Sequence, residues 1–489
     1  MANGWRDRSG MRSRGSAGCL RGGGLSAGSV MAKIAALGAY FYQAALAFGL
    51  LILVSNLLPS AEYTSYSLFI SITQFVSIVC FEWIKFACSR FYPGPDAGSE
   101  AAERSAMLRE FVACSGVCVV GAVVAIALGV PLAIAVLGAL AAVIQGGSEI
   151  HLTVLRFRQD FRLFSRMQGM RATILAVGTC AGAAMSRDFA HVLAGLMAGY
   201  GVYMAAAFAV SRGRPLRLAR WDVAVTRRHL VYGSVSASAS IAAMLAPLGL
   251  KAILTATLGP AGAAGPMLAL DLLQRPFTLI VSSLQAIRYP ELVALFDRDG
   301  AGPELRRALG RYYTMLASFA FLGGAGIMAL LGLAGAVIIA PDLGPSFART
   351  APFILLMALL RSLVQTWLPT PAHLQRRLVA IASIAVLDSV LMCAGALLGA
   401  VGWGSDVAIA IGAAAGAVAS VLCCLAVLRL VPFEMALAPV LLSVAALLAA
   451  WGVSGWFGGD LVRSTTLALA AAALAGIPAL YQTARWIAR

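Results

Sequence analysis

Residues 263–287 read AAGPMLALDLLQRPFTLIVSSLQAI, a run long and apolar enough to cross a bilayer. In its middle stand Asp271, Gln274 and Arg275, followed by Pro276. A charge in hydrocarbon costs on the order of 2.5–3.5 kcal/mol even on lenient insertion scales, so this group needs a reason to be there. The run is one of many. Of 489 residues, 60% are hydrophobic and only 12% charged, too little polarity to clothe a soluble fold of that length. Apolar runs of about 20 residues recur from Ile34 onward, and they lack the alternation of barrel strands. The composition therefore describes an all-α polytopic membrane protein.

Fourteen spans are expected: 34–57, 65–87, 111–130, 132–150, 170–186, 189–211, 233–257, 263–287, 313–339, 351–372, 378–401, 407–429, 434–453 and 464–482. Charge alternates between the connections. Arginines crowd the N-terminal segment, 88–110, 151–169, 212–232, 288–312, 373–377, the turn at 429–432 and the C-terminus. The intervening connections hold only Arg187, Arg349 and Arg463. The positive-inside rule then places both termini in the cytoplasm. The formal charge of +16 is accordingly a topology signal, and no nucleic-acid partner is expected. Residues 1–33 lack an apolar stretch and read as a disordered basic tail. Met31, opening MAKIAALGAY, fits a translation start, which would make the preceding residues a gene-start artefact. The excess of arginine over lysine points to a GC-rich, bacterial genome.

Enzyme classes find little support. The sparsely charged connections are short and leave no room for an extramembrane catalytic loop, and Asp188, Asp342, Asp406 and Asp460 stand singly in them. The sequence has no G-x-x-x-x-G-K-[ST] loop, no H-E-x-x-H pair and no filter-like segment between helices. Nine cysteines form neither a C-x-x-C pair nor a cluster with His151, His191, His229 or His373. Catalytic residues, metals and cofactors are therefore not expected; a coupling ion, proton or sodium, stays open.

Two segments repeat. LLPSAEYTSYSLFISITQFVSIVCFEWIKFACSRFYP (57–93) and LGPAGAAGPMLALDLLQRPFTLIVSSLQAIRYP (258–290) each begin with a proline turn and carry a mid-span glutamine, Gln74 or Gln274. Each ends in an Arg-(Phe)-Tyr-Pro run, and six spans separate them, so they cross the membrane in the same direction. That is the pattern of parallel repeats with a site between two lobes. Residues 34–211 form the first lobe, 212–232 a basic link amphipathic enough to lie at the interface, 233–429 the second lobe, and 430–489 two further helices and the C-terminus.

Six plus six plus two helices with this repeat resembles the multidrug/oligosaccharidyl-lipid/polysaccharide (MOP) exporter superfamily. Within it the chain is similar to the polysaccharide transporter branch, the flippases of Wzx type. The residues that carry the resemblance are LLPSAEYTSYSLFISITQF leading to RFYP, WDVAVTRRHLVYG entering span seven, and LGPAGAAGPMLAL with IRYPEL around span eight. The sequence departs from the family at AAGPM, where relatives often have Gly-Tyr, and in the weak polarity of span one. The resemblance implies a flippase that carries a polyprenyl-pyrophosphate-linked glycan across a bacterial inner membrane. Its partners would be that lipid-linked oligosaccharide, membrane lipids, and a polysaccharide polymerase with export machinery. Other expectations for the same superfamily are an ion-coupled drug or metabolite antiporter and a peptidoglycan-precursor flippase.

Charges at depth are the site candidates. Lys85 lies near the end of span two, where it either snorkels or pairs with Glu82 three residues earlier. Glu149 is placed at the interface. Lys251 stands about two turns from the end of span seven, within snorkelling reach. Arg361 and Asp388 each lie ten residues into consecutive spans and are positioned to pair. Asp271 and Arg275 share a helix face at i,i+4, and Pro276 is expected to kink the helix beside them. Arg275, Arg361 and Lys251 are the candidate headgroup cations. Gln43, Gln74 and Gln274 are candidate sugar contacts, with Asp271 and Asp388 balancing charge or carrying a proton.

Overall fold

A computed structural model describes residues 27–92, 97–211, 222–375, 377–456 and 461–488. Every α-helix and 3₁₀ turn accounts for the regular structure; among the described residues there is no strand. The helices are α1 (Ala27–Leu57), α2 (Ser60–Phe91), α3 (Ala97–Ala127), α4 (Leu132–Phe157), α5 (Phe161–Ser186), α6 (Phe189–Ser211) and α7 (Val223–Asp299). They continue as α8 (Pro303–Val337), α9 (Gly344–Thr366), the short α10 (Thr370–Leu374), α11 (Leu378–Trp403), α12 (Asp406–Cys424), α13 (Leu437–Trp456) and α14 (Leu461–Ala488). Each of the fourteen expected spans overlaps a helix. Spans 111–130 and 313–339 run two or three residues past their helix ends, and 434–453 starts three residues early. Span 351–372 covers α9 and α10, and 407–429 runs from α12 into a 3₁₀ turn. Among the described residues, 12 helices are long and apolar enough to cross a membrane. The other two spans have separate causes: α7 holds two, and α5 is made more polar by Arg162, Arg166 and Arg171 in its first half.

The doubling inside α7 follows from one residue. Gly259 takes φ 70° and ψ 171°, the one non-helical residue in the element, and a conformation glycine enters without steric cost. In an unbroken helix Lys251 and Asp271 would stand about 30 Å apart at 1.5 Å per residue. Their charged atoms lie 2.7 Å apart, so the two arms of α7 fold back on each other at Gly259. The backbone keeps helical dihedrals through Pro276, and the one break in the element is the turn at Gly259.

Helices α1–α6 are called the first lobe below and α7–α12 the second; α13 and α14 pack on α8. Contact between the lobes runs chiefly along α2 and α7. A second repeat signal lies in the glycines. Gly178, Gly182, Gly195 and Gly199 join α5 to α6; Gly395, Gly399, Gly412 and Gly416 join α11 to α12 with the same intervals. A Cβ on Gly195 would stand 2.2 Å from the Gly178 carbonyl oxygen, and one on Gly412 2.1 Å from that of Gly395. Lipid offers little hydrophobic drive for helix association, so close backbone approach through small residues supplies it.

Several connections are more ordered than the sequence suggests. Helix α1 begins at Ala27, inside the stretch read as a tail; residues 1–26 lie outside the described residues. The link 212–232 is described only from Asp222, whose side chain caps α7 by accepting from Ala224 N at 2.8 Å. Its last ten residues are therefore the first turns of α7, and through His229 and Tyr232 they pack on α3 and α2. Caps at Asp160 and Ser405 start α5 and α12 in the same way. The face bearing the arginine-dense connections is called the arginine-rich face below, and the other the opposite face.

Core packing is unequal. One large cluster fills α7, α8 and α9 and reaches across the opposite face to Leu51, Val54 and Leu58 of α1 and Tyr63 and Tyr66 of α2. The first lobe's apolar contacts divide into three smaller clusters. A polar cavity lies beside them.

Candidate translocation cavity

Three helices of the first lobe each present polar residues at helical spacing. Glu82, Lys85 and Ser89 lie along α2, Glu149, Thr153 and Arg156 along α4, and Gln168 and Arg171 along α5. Residues at i, i+3 or i+4, and i+7 share a helix face, and these faces meet around a cavity of about 420 Å³ closed by Tyr40 and Gln43 of α1. Lys85 Nζ stands 2.7 Å from Glu82 Oε2 and 2.6 Å from Glu149 Oε2. Arg171 donates to Ser148 Oγ at 2.8 Å, and Gln168 donates to Gln43 Oε1. Among the described residues no carboxylate lies within ion-pair distance of Arg171 or Arg156. Lys85 against two glutamates leaves one negative charge, and the two arginines turn the wall to one net positive.

The space continues toward the second lobe. A cavity of about 280 Å³ shares Glu82, Lys85 and Glu149 with the first and adds Gln74, Gln145, Ser240 and Ala243. A third, of about 370 Å³, shares Ser240 and Ala243 and reaches Gln365 and His373. The three adjoin one another, from inside the first lobe to the space between the lobes.

The opposite side is closed by hydrogen bonds between the lobes. Asn56 Nδ2 donates to Ile338 O at 2.8 Å, Ser60 Oγ to Asp342 Oδ2 at 2.6 Å, and Thr64 Oγ1 to Pro260 O at 2.6 Å. Deeper in, Lys251 Nζ lies 2.7 Å from Asp271 Oδ1 and donates to Ser67 Oγ at 2.8 Å and Ser71 Oγ at 2.7 Å. Ser67 in turn donates to Asp271 Oδ2 at 2.6 Å. The seal is polar but satisfied, as a buried ion pair must be.

A third cluster is dry. Arg361 Nε meets Asp388 Oδ2 at 3.3 Å, and the aspartate is wholly buried. Ser420 Oγ donates to Asp388 Oδ1 at 3.0 Å, and Arg361 also donates to the Ala243 carbonyl. With its amide oxygen turned inward, Gln365 accepts from Arg361 NH2 at 2.8 Å. Ala243 and Gln365 line the cavities; Arg361 and Asp388 stand behind them.

The structure thus brings Arg361 to Asp388, as the depths suggested, and Lys85 to Glu82. Asp271 does not pair with Arg275. Lys251 takes its carboxylate from the other arm of α7, and Arg275 Nε donates instead to the Asp271 backbone carbonyl at 3.2 Å. Lys251 does not snorkel: 2% of it is exposed. Gln43 and Gln74 line the cavities, whereas Gln274 and Arg275 line none of the three, and the Gln274 amide nitrogen is buried without a partner. Glu149, expected at the interface, is a cavity residue. Arg156 and Arg171 were absent from the sequence candidates because both fall at the edge of a basic connection. The i,i+7 polar stripes were the signal that could have found them.

Outside the spans, Tyr92 hydrogen-bonds to Glu100, which lies 3.1 Å from Arg104 and 3.0 Å from Arg158. Burial, and then this hydrogen bond, push the Tyr92 phenol above its ordinary range.

No family model matches the chain, and no curated protein matches it in sequence. Solved structures do match in fold. Lipid II flippase MurJ in an inward closed conformation aligns with TM-score 0.67 at 11% identity, covering 94% of this chain and 100% of that one. An inward-facing multidrug resistance MATE family transporter of the MOP superfamily aligns with TM-score 0.60 at 13% identity, over 79% of this chain and 94% of that one. The chain has the fold of these two proteins. A Vibrio cholerae MATE transporter agrees, with TM-score 0.51 at 13% identity over 82% of this chain and 97% of that one. This fold is carried by a flippase and by multidrug transporters alike.

Proposed function

We propose that the chain is a flippase for a lipid-linked oligosaccharide, exporting a polyprenyl-pyrophosphate-linked glycan by alternating access. The observation that carries this reading is the first-lobe cavity, adjoining the space between the lobes, whose wall bears Arg156 and Arg171 with no carboxylate within ion-pair distance. A sugar-pyrophosphate cannot cross hydrocarbon unaided, and it needs a wet path with cations for the phosphates. Arg156 and Arg171 serve the anionic headgroup. Gln43, Gln74, Gln145 and Gln168 contact the sugars. The arginine-rich face is the cytoplasmic one, so the cavity opens where such lipids are made, and the Lys251–Asp271 seal closes the outer side. Rocking the lobes would break that seal and deliver the glycan outward in a bacterial inner membrane. The wholly matched length of MurJ supports a flippase of this substrate class.

An ion-coupled antiporter draws on a different observation, the approach of Glu82 and Glu149 in the first lobe. Lys85 lies between those two carboxylates and already occupies the position a coupling cation would take.

The test is transport in proteoliposomes of a fluorescent lipid-linked oligosaccharide. Arg171→Gln with Arg156→Gln should abolish transfer while membrane insertion and unfolding temperature stay normal; full transfer by the double variant overturns the reading. Depletion in cells separates the glycans. Loss of surface polysaccharide with normal growth supports polysaccharide export, and lysis supports a peptidoglycan precursor.

A further inference from the structure

His229, in the first turns of α7, is fully buried between two buried glutamates of α3. Its Nε2 stands 2.7 Å from Glu103 Oε2, and its Nδ1 stands 3.0 and 3.1 Å from the two oxygens of Glu110. A neutral imidazole has one N–H and one lone pair, and an ionised carboxylate can only accept. Carboxylates on both ring nitrogens therefore imply one proton more than a neutral histidine and two carboxylates would hold. Without it, one of these contacts sets lone pair against lone pair in a buried site.

The surroundings favour the imidazolium as its carrier. Arg228 donates to the other oxygen of Glu103 and lies 4.5 Å above the Phe91 ring, which stacks on His229 at 5.8 Å. With the proton present, Arg228 and His229 balance Glu103 and Glu110; without it the buried group carries one net negative charge. Other titratable groups nearby are the thiols of Cys88 on α2 and Cys114 on α3, each within the field of one of the glutamates, with Arg156 of α4 acting on Cys88. Arg104 is engaged with Glu100.

Position gives the group its meaning. Glu103 and Glu110 belong to the first lobe and His229 to the second. One turn on, the backbones of α2 and α7 touch: a Cβ on Gly233 would lie 2.2 Å from the Trp83 carbonyl oxygen. At the other end of the same arm, Lys251 is tied to Ser67 and Ser71 of the first lobe. The arm is thus held to the first lobe at two levels, about 33 Å apart along the helix.

We propose that Glu103, Glu110 and His229 form a proton-binding clasp between the lobes, which must give up one proton when α7 parts from α3. The step breaks one imidazolium N–H bond and passes the proton to water, leaving a neutral imidazole on α7 and two solvated carboxylates on α3. The clasp makes separation of the lobes at the arginine-rich face easier at high pH and harder at low pH, whatever the transported molecule is.

The chain has four histidines, so ¹⁵N-histidine labelling of the full chain in lipid vesicles resolves the site by solid-state NMR. One resonance should remain imidazolium at about pH 8, above the ordinary histidine value of about 6.5. It should vanish in His229→Gln and become neutral in the Glu103→Gln, Glu110→Gln double variant. A wild-type spectrum with all four histidines neutral at that pH overturns the proposal, as does a persistent imidazolium that survives His229→Gln. The clasp itself is read by amide hydrogen exchange in residues 223–232, corrected for intrinsic rates. Protection should fall by up to about tenfold per pH unit between about pH 6.5 and the midpoint of the imidazolium signal, the slope for one linked proton, and level off above that midpoint. Protection that stays constant in the wild type over that range removes the clasp. These readouts require no substrate, so they stand or fall separately from the transport assay.

Discussion

The two lobes hold similar charged groups at depth and treat them differently. In the first, Lys85, Glu82 and Glu149 are 24%, 17% and 29% exposed to a cavity and share its wall with two arginines that have no carboxylate partner. In the second, Arg361 and Asp388 are 8% and 0% exposed behind Ala243 and Gln365, and they hydrogen-bond to each other, Ser420, the Ala243 carbonyl and Gln365. An intramembrane charge is therefore not a functional residue by its depth alone. What distinguishes the lobes is access to water and the balance of partners, and each prediction below tests that distinction.

The largest effect is expected where access is least. Arg361→Ala leaves Asp388 buried without its cation, and breaking such a pair costs about 3–5 kcal/mol. The unfolding temperature and yield of the detergent-solubilised chain should fall sharply. Arg361→Met with Asp388→Leu should recover most of that loss, because a packed apolar pair often replaces a buried ion pair without penalty. If the double variant is stable but cannot transport, the pair has a role beyond holding α9, α11 and α12 together.

Lys251 comes next. Lys251→Met removes the cation that ties α7 to Asp271, Ser67 and Ser71, but Asp271 is 21% exposed and keeps Ser67, so the cost should be about 2 kcal/mol. Part of it falls on the sealed state alone, which shifts the chain toward the conformer open on the opposite face. Accessibility of a cysteine placed at Ser71 to a membrane-impermeant thiol reagent, applied from that face, should rise about tenfold for each 1.4 kcal/mol of that shift. Unchanged labelling would show that the seal rests on apolar packing of Leu58, Tyr63 and Tyr66 instead.

These two cases also mark where sequence reading stopped. Hydropathy located every span because the bilayer constrains length and polarity in one dimension along the chain. It also placed Arg361 and Asp388 at one depth. Partner choice is set in three dimensions, by which helix faces meet, and i,i+4 spacing speaks only for one helix. Asp271 met Lys251 because Gly259 folds α7 on itself, a consequence invisible from the LDLLQRP run that drew attention to it. Arg171 was hidden for the opposite reason: it stands second in span five, beside the basic connection 151–169, and was counted with that connection, although its polar stripe faces the cavity.

Arg171 is predicted to act on transport and hardly on stability. It is half-buried and hydrogen-bonds to Ser148, so Arg171→Gln should change the unfolding free energy by less than about 1 kcal/mol. Loss of one charge-assisted hydrogen bond to a phosphate should lower transport about tenfold or more, since such bonds are worth roughly 1.5–3 kcal/mol. Arg171→Lys should recover part of it by keeping the charge without the planar fork. A stability loss comparable to that of Arg361→Ala would make Arg171 a structural residue and erase the contrast between the lobes.

The smallest effect belongs to a pair with good geometry and poor burial. Arg349 NH2 lies 2.9 Å from Asp406 Oδ2, closer than Arg361 Nε is to Asp388, yet Arg349 is 62% exposed on the opposite face. Water screens that attraction at the exposed arginine, and Asp406, 14% exposed, keeps the Val407 N–H, so Arg349→Gln should cost about 0–1 kcal/mol, and the difference should shrink further in high salt. Unfolding of the two variants side by side, Arg349→Gln and Arg361→Ala, ranks distance against burial directly. If the surface pair proved the costlier one, burial would not be what separates the charges of this molecule, and the assignment of the first lobe's arginines to substrate would lose its physical basis.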